Sequence, residues 1–159
     1  MERVLKLLLG TRGGLNVSPQ RSRMMAAVRG NGNRSTEVRL RAGLVSAGVR
    51  GWTMHARAVL GRPDFWFESE RLAVFVDGCF WHGCKKCGHI PKSNNSFWAL
   101  KLARTKARDS RIRRALRRTG VRVIGIWEHD LADSVSAKVL SITRELAESR
   151  GSRLTNENR

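Results

Sequence analysis

The sequence predicts an α/β layer fold with a small mixed sheet flanked by helices. The apolar run LAVFV, near residue 74, shows no alternation, as expected of a central strand buried on both faces. Segments with helical spacing stand before and after it. The order along the chain reads helix, strand, strand, helix, strand, helix, which layers helices against a sheet.

Residues 1–20 are rich in Gly, Arg and Ser, carry no sustained period, and read as a flexible basic arm. Residues 21–150 form one folded domain, and residues 151–159 a polar tail. Ser35 is placed to N-cap a first helix through VRLRAGLVSAG, with Val38, Leu40, Leu44 and Val45 as its apolar face and Gly48 as its stop. GWTMHARAVLGRPDF reads as irregular or extended, and Gly61 and Pro63 make a turn just before Asp64. DFWFES and RLAVFVDG, joined by the polar residues 68–71, form a hairpin. Residues 96–120 carry a long helical pattern with Phe97, Leu100, Ile112, Leu116 and several alanines inward. VRVIGIW, residues 121–127, is a further strand, and Asp133 caps a last helix carrying Val135, Val139, Ile142 and Leu146.

Composition narrows the function. At 159 residues with 41% hydrophobic content, the chain supports one compact core. Its 31 Lys+Arg against 13 Asp+Glu leave a net charge of +18, which calls for a polyanionic partner. Nucleic acid fits better than a membrane, because no run approaches the roughly 20 apolar residues needed to span. The long helix concentrates the charge, with nine Lys/Arg between residues 101 and 118 against the single acid Asp109. The N-terminus is a poor secretory signal, and three cysteines, all between 79 and 87, point to a reducing cytoplasm and to metal.

Those cysteines lie in VDGCFWHGCKKCGH, residues 76–89. Cys79, Cys84 and Cys87 are separated by four and two residues, a loop spacing that can set thiolates about 2.3 Å from one tetrahedral zinc ion. The fourth ligand is His89, nearby, or His129, after the last strand. Around the same segment, Asp64 and the strand end at residues 76–77 can place a carboxylate and a main-chain carbonyl about a hard cation such as Mg²⁺, which polarises a phosphodiester. His82 can take a proton from an attacking water, its unperturbed pKa being about 6.5, and Asp109 can orient the imidazole.

GRPDF, FVDGCFWHG, PKSNNSFW, ARD and VIGIWEHDL, in this order and spacing, resemble the very short patch repair (Vsr) DNA mismatch endonucleases over residues 21–131. The resemblance implies a restriction-endonuclease-like fold and a monomeric enzyme that binds double-stranded DNA at a T:G mismatch left by 5-methylcytosine deamination. It implies nicking 5′ to the thymine, ahead of downstream repair proteins. By position, Asp64 is similar to the family's Mg²⁺ carboxylate, His82 to its general base, Asp109 to the partner of that base, and Glu37 to a further acidic residue of the active centre. Val76 stands where the family offers Mg²⁺ a main-chain oxygen, without the usual threonine side chain. Asp77 replaces a histidine. Cys84 occupies a place often held by histidine, and His129 one often held by cysteine, so the resemblance favours His129 over His89 in a closed, structural Cys₃His zinc site. Phe80 and Trp81 are implied as wedges entering from the major groove, with Met25 on the arm pushing from the minor groove. The rival readings are a nuclease of the same fold with other lesion or sequence specificity, including defence against foreign DNA, and a zinc-stabilised DNA-binding protein without catalysis.

Overall fold

A computed structural model describes residues 36–157 together with Gln20. Ser35, Met25 and the arm before Gln20 lie outside the described residues. The elements are α1 (Glu37–Ser46), β1 (Trp52–Met54), β2 (Phe65–Phe67), β3 (Leu72–Asp77), α2 (Asn95–Arg118), β4 (Arg122–Trp127), α3 (Glu128–Asp133) and α4 (Val135–Glu157). The four strands form one mixed sheet in the order β1-β2-β3-β4. β1 pairs antiparallel with β2 and β2 with β3, whereas β3 and β4 run parallel through the α2 crossover.

The apolar run does form the inner strand. Alternation along β2 and β3 divides the side chains between two layers. Phe65, Phe67, Leu72 and Val74 face a core shared with Leu40 and Leu44 of α1 and with Val139, Ile142 and Leu146 of α4. Ala73, Phe75 and Trp66 face the opposite side, against Ile112 and Leu116 of α2. Phe65 and Phe67 are fully buried, and truncating either to Ala would cost about 3–5 kcal/mol.

Several elements differ from expectation for local reasons. Residues 52–54, read as irregular or extended, are a short edge strand whose register is fixed by pairing to β2. The residue flanking α1 is Thr36, whose side chain makes no capping bond. Val38 and Val45 are exposed at 45% and 48%, because the contact of α1 with α4 is a narrow stripe centred on Leu40 and Leu44. Leu100 is likewise exposed, as are Ala103 and Ala107, since the middle of α2 overhangs the sheet and only Leu102 and Leu116 are buried. The last helix is capped by Ser134 rather than Asp133: Ala137 N–H donates to Ser134 Oγ at 3.2 Å. That shift leaves room for α3, a single extra turn that the apolar pattern did not reveal. α4 runs on into the polar tail as far as Glu157. Among the described residues no helix is long and apolar enough to cross a membrane.

Candidate active site and metal centre

Topology gathers the chemistry at one edge of the sheet. Phe65 at the start of β2 pairs with both Met54 and Val74, and Asp77 at the end of β3 pairs with Trp127. The residues just beyond those ends, His55, Asp64, Cys79 and His129, therefore emerge on the same side. The left-handed turn at Gly61 (φ +80°) brings the chain to Asp64, and a Cβ there would collide with Ile112 of α2.

A cleft of about 490 Å³ opens at this edge, lined by Glu37, His55, Asp64, Asp77, His82 and Asp109 among others. Val76 N–H donates to Asp64 Oδ2 at 2.6 Å. Burial pushes Asp64 up to about 6, and the neighbouring Glu37 carboxylate pushes in the same direction, against the Val76 hydrogen bond and His55. Glu37, at the first turn of α1, is buried, and its Oε2 lies 3.1 Å from His55 Nε2. His55 Nδ1 lies 3.7 Å from Asp64 Oδ1. The donor atoms of Glu37, His55 and Asp64 all fall within 4.8 Å of one another.

Across the cleft, His82 Nδ1 meets Asp109 Oδ2 at 2.7 Å. An ionised carboxylate only accepts, so the proton sits on Nδ1 and Nε2 keeps its lone pair. Arg108 grips the other oxygen of Asp109 at 2.9 Å, fixing the carboxylate from behind. Asp77, 4% exposed, is held by Arg113, whose guanidinium also lies over the Phe75 ring, and it approaches His82 Nδ1 at 3.5 Å. A carboxylate paired with a guanidinium thus stands beside the imidazole.

Cys79, Cys84, Cys87 and His129 form the second cluster. The three sulfurs lie 3.2, 3.6 and 3.5 Å from His129 Nδ1, and Cys84 and Cys87 are 3.7 Å apart. Those separations are close to the edges of a tetrahedron whose arms are about 2.0–2.3 Å, the size zinc takes with nitrogen and sulfur. Without a cation the thiols oppose one another: contact with Cys79, then burial and contact with Cys84, pushes Cys87 up to about 12. The donor set therefore fits a metal ion. Gly88 allows the loop to close, since a Cβ there would strike the Cys84 carbonyl. The other side is set by α3, whose first turn is capped when Trp127 N–H donates to Asp130 Oδ2 at 3.2 Å. His89 stays outside the cluster, exposed, with its ring 5.6 Å from that of Phe80.

Beside the metal cluster stands an aromatic group. Phe80 meets Trp81 at 5.0 Å and Trp98 at 5.2 Å between ring centroids, and Phe97 meets Trp98 at 5.4 Å. Lys101 Nζ caps the group, 4.9 Å from the Trp98 ring and 5.3 Å from Trp81. Phe97 belongs to this half-buried cluster and not to the main core. A basic hollow of about 650 Å³ continues from the cleft, with Lys86, Lys106, Arg113, Arg114 and Arg117 in its walls.

The sequence reading passed over His55, Trp98 and Arg113. His55 sits in a segment with no period to flag it. Trp98 repeats the Phe-Trp pairing of residues 80–81, a signal that was present in SFW. Arg113 was one of nine basic residues on a helix, and only the fold distinguishes it.

A cleft that pairs clustered carboxylates with a carboxylate-held imidazole, inside a strongly basic surface, has the chemistry of a phosphodiester-cleaving enzyme. A protein-family model described as DNA mismatch endonuclease Vsr matches residues 16–89. The type II nicking enzyme V.XorIIP of Xanthomonas oryzae pv. oryzae is 41% identical over 120 residues, covering 74% of this chain and 86% of that one. V.NaeI of Lentzea aerocolonigenes, also a type II nicking enzyme, is 39% identical over 75% of this chain and 74% of its own. The DNA mismatch endonuclease Vsr of Escherichia coli is 30% identical over 80% of this chain and 81% of its own. This chain belongs to the Vsr family of endonucleases, for which DNA is the substrate.

Proposed function

We propose that this chain nicks one strand of duplex DNA 5′ to the thymine of a T:G mismatch formed by deamination of 5-methylcytosine, and so opens very short patch repair. The observation that carries the reading is the meeting, in one cleft, of the Glu37–Asp64 carboxylates with the His82–Asp109 pair. The names of the relatives, nicking enzymes and a mismatch endonuclease, support single-strand cleavage and mispair recognition. The sheet edge with carboxylates at its strand ends is consistent with a restriction-endonuclease-like arrangement in residues 21–150. The working unit is a monomer acting in the cytoplasm on the nucleoid.

Asp64, the main-chain oxygen of Val76 and Glu37 would hold Mg²⁺, which when bound supplies positive charge to the scissile phosphate. The rest belongs to the chain. His82 Nε2 accepts the proton of the attacking water as its oxygen bonds to phosphorus and the bond from phosphorus to the departing sugar oxygen breaks. That oxygen leaves with a proton from solvent, and Asp109 steadies the imidazolium that results. Zinc in the Cys79–Cys84–Cys87–His129 cluster ties the loop to α3 and so holds Phe80, Trp81 and His82 in fixed relation. Phe80 and Trp81, with Trp98 behind them, wedge into the duplex. Met25 serves the opposite groove. Unstacking costs roughly a few kcal/mol per step and least at a mispair, so the wedge itself discriminates. The basic hollow and α2 hold phosphates, giving affinity without sequence information.

The test is a labelled duplex with one T:G pair, incubated with the zinc-loaded protein and Mg²⁺ beside a T:A control and an Asp64→Ala variant. Nicking of the T:G duplex alone, on the thymine strand, and its loss in the variant, is the expected result. Equal cutting of both duplexes would remove mismatch specificity and favour a nuclease of other specificity. No cutting at all would favour a DNA-binding role.

A further inference from the structure

We propose that His55 is a third protein ligand of the cleft's cation site, so that Glu37, His55 and Asp64 together hold a first-row transition ion of the Mn²⁺ class in preference to Mg²⁺. The inference rests on the cation site of the proposed function and adds to it a nitrogen donor and a metal preference.

Three features carry it. The imidazole stands between the two carboxylates, Nε2 at 3.1 Å from Glu37 Oε2 and Nδ1 at 3.7 Å from Asp64 Oδ1. One donor atom from each residue lies within 4.8 Å of the others, which is the span of ligands about a single ion. The three come from separate places in the chain, the first turn of α1, the residue after β1 and the residue before β2, so the convergence is not a by-product of one helix or turn. The backbone of His55 is also held in the left-handed region (φ +51°), where its N–H donates to the Asp64 carbonyl at 3.3 Å. That conformation is strained in a non-glycine residue and persists where surrounding structure enforces it, most often at functional sites.

The chemistry of the third donor sets the preference. Mg²⁺ and Ca²⁺ favour oxygen-only shells, whereas an imidazole nitrogen raises affinity for Mn²⁺ and later ions of the row. Either ring nitrogen can serve, since the other remains free to hold the neighbouring carboxylate. His82, on the opposite wall and tied to Asp109, stays with the water.

Titrating Mn²⁺ into zinc-loaded protein at pH 8, with pulsed electron paramagnetic resonance on the bound ion, tests this without any turnover. The native protein is expected to show modulation from a directly coordinated nitrogen. His55→Gln should abolish it and weaken Mn²⁺ binding at least about tenfold while changing Mg²⁺ binding much less; His82→Ala should leave it in place. Absence of nitrogen modulation in the native protein, or its survival in His55→Gln, overturns the assignment. Asp64→Asn separates the two levels. If it abolishes Mn²⁺ binding while His55→Gln has no effect, only the role of His55 falls; if it leaves binding intact, the cation site itself falls with it.

Discussion

The Asp64 carboxylate should destabilise the protein when no cation is bound beside it. Its side chain is 19% exposed and it is pushed up from 3.8 to about 6, chiefly by burial and then by Glu37. A raised carboxylate pKa means that the folded state holds the proton more tightly than the unfolded one. The stability this contributes is present below pH 4 and is lost as pH rises through about 6. Two pKa units correspond to about 3 kcal/mol at pH 8. Asp64→Asn removes the charge and keeps an oxygen for the Val76 N–H, so it should stabilise the cation-free protein by about 1–3 kcal/mol at pH 8. At about 2–4 °C per kcal/mol, the melting temperature should rise by several degrees while nicking is lost. Thermal and urea unfolding of both proteins at pH 8 and pH 4.5, zinc retained and no other divalent ion added, reads this directly. The gain should fall to about a third of its pH 8 value at pH 4.5. A variant no more stable than the native protein at pH 8, or a gain that ignores pH, would refute the reasoning.

His82→Ala should lower the nicking rate about 10²–10⁴-fold with little change in DNA affinity, read by single-turnover cleavage and filter binding. Cys84→Ser should release zinc, measured with a colorimetric chelator, and make residues 79–89 sensitive to protease, because such a site contributes about 10–16 kcal/mol of apparent binding energy; a zinc-free protein that resists protease would contradict the tethering role. Trp98→Ala should reduce the ratio of T:G to T:A cleavage, and an unchanged ratio would remove Trp98 from the wedge. Replacing Lys106 and Arg114 together with Ala should flatten the log–log salt dependence of DNA binding by about 1–2 units, since each phosphate contact released contributes roughly 0.9.

Much of this was legible where local pattern and tertiary outcome agree. The unbroken run LAVFV could only be covered on both faces, and the β2–β3 hairpin announced itself by two apolar runs around a polar turn. The cysteine spacing pointed to a metal site, and the structure brings the three thiols together with His129 at distances that could hold one ion. What the sequence hid was decided by distance in space. His129, a candidate from the start, could be preferred to His89 only through the resemblance, because it lies 42 residues from Cys87 and reaches the loop only when β4 runs parallel to β3 and delivers α3 beside it. His55 follows a strand of only three residues, too short to show a period, and its partner Glu37 is an acidic residue in a helix first turn, a placement that helix electrostatics alone would explain. Arg113 differs from the eight other basic residues counted on α2 only in facing Phe75 and Asp77.

The parity of β3 explains how one strand end serves two walls of the cleft. Val74 and Val76 point to the layer of α1 and α4, where Glu37 begins its helix, and the Val76 N–H takes Asp64. Phe75 and Asp77 point the other way, to α2, where Arg113 covers both and Asp109 waits for His82. Glu37 thus reaches the cleft from one side of the sheet and the His82–Asp109 pair from the other, and they meet only because the strand ends between them. Side chains alternate with a period of two, so removing one residue between Phe67 and Leu72 would send Val76 to the α2 side and Asp77 into the apolar layer. Such a deletion separates the two halves of the site at once, whereas a substitution in either half leaves the other in place. The Glu68–Arg71 turn, remote from the cleft and closed by Arg71 N–H donating to the Glu68 carbonyl at 3.1 Å, joins the two strands whose register holds these residues together.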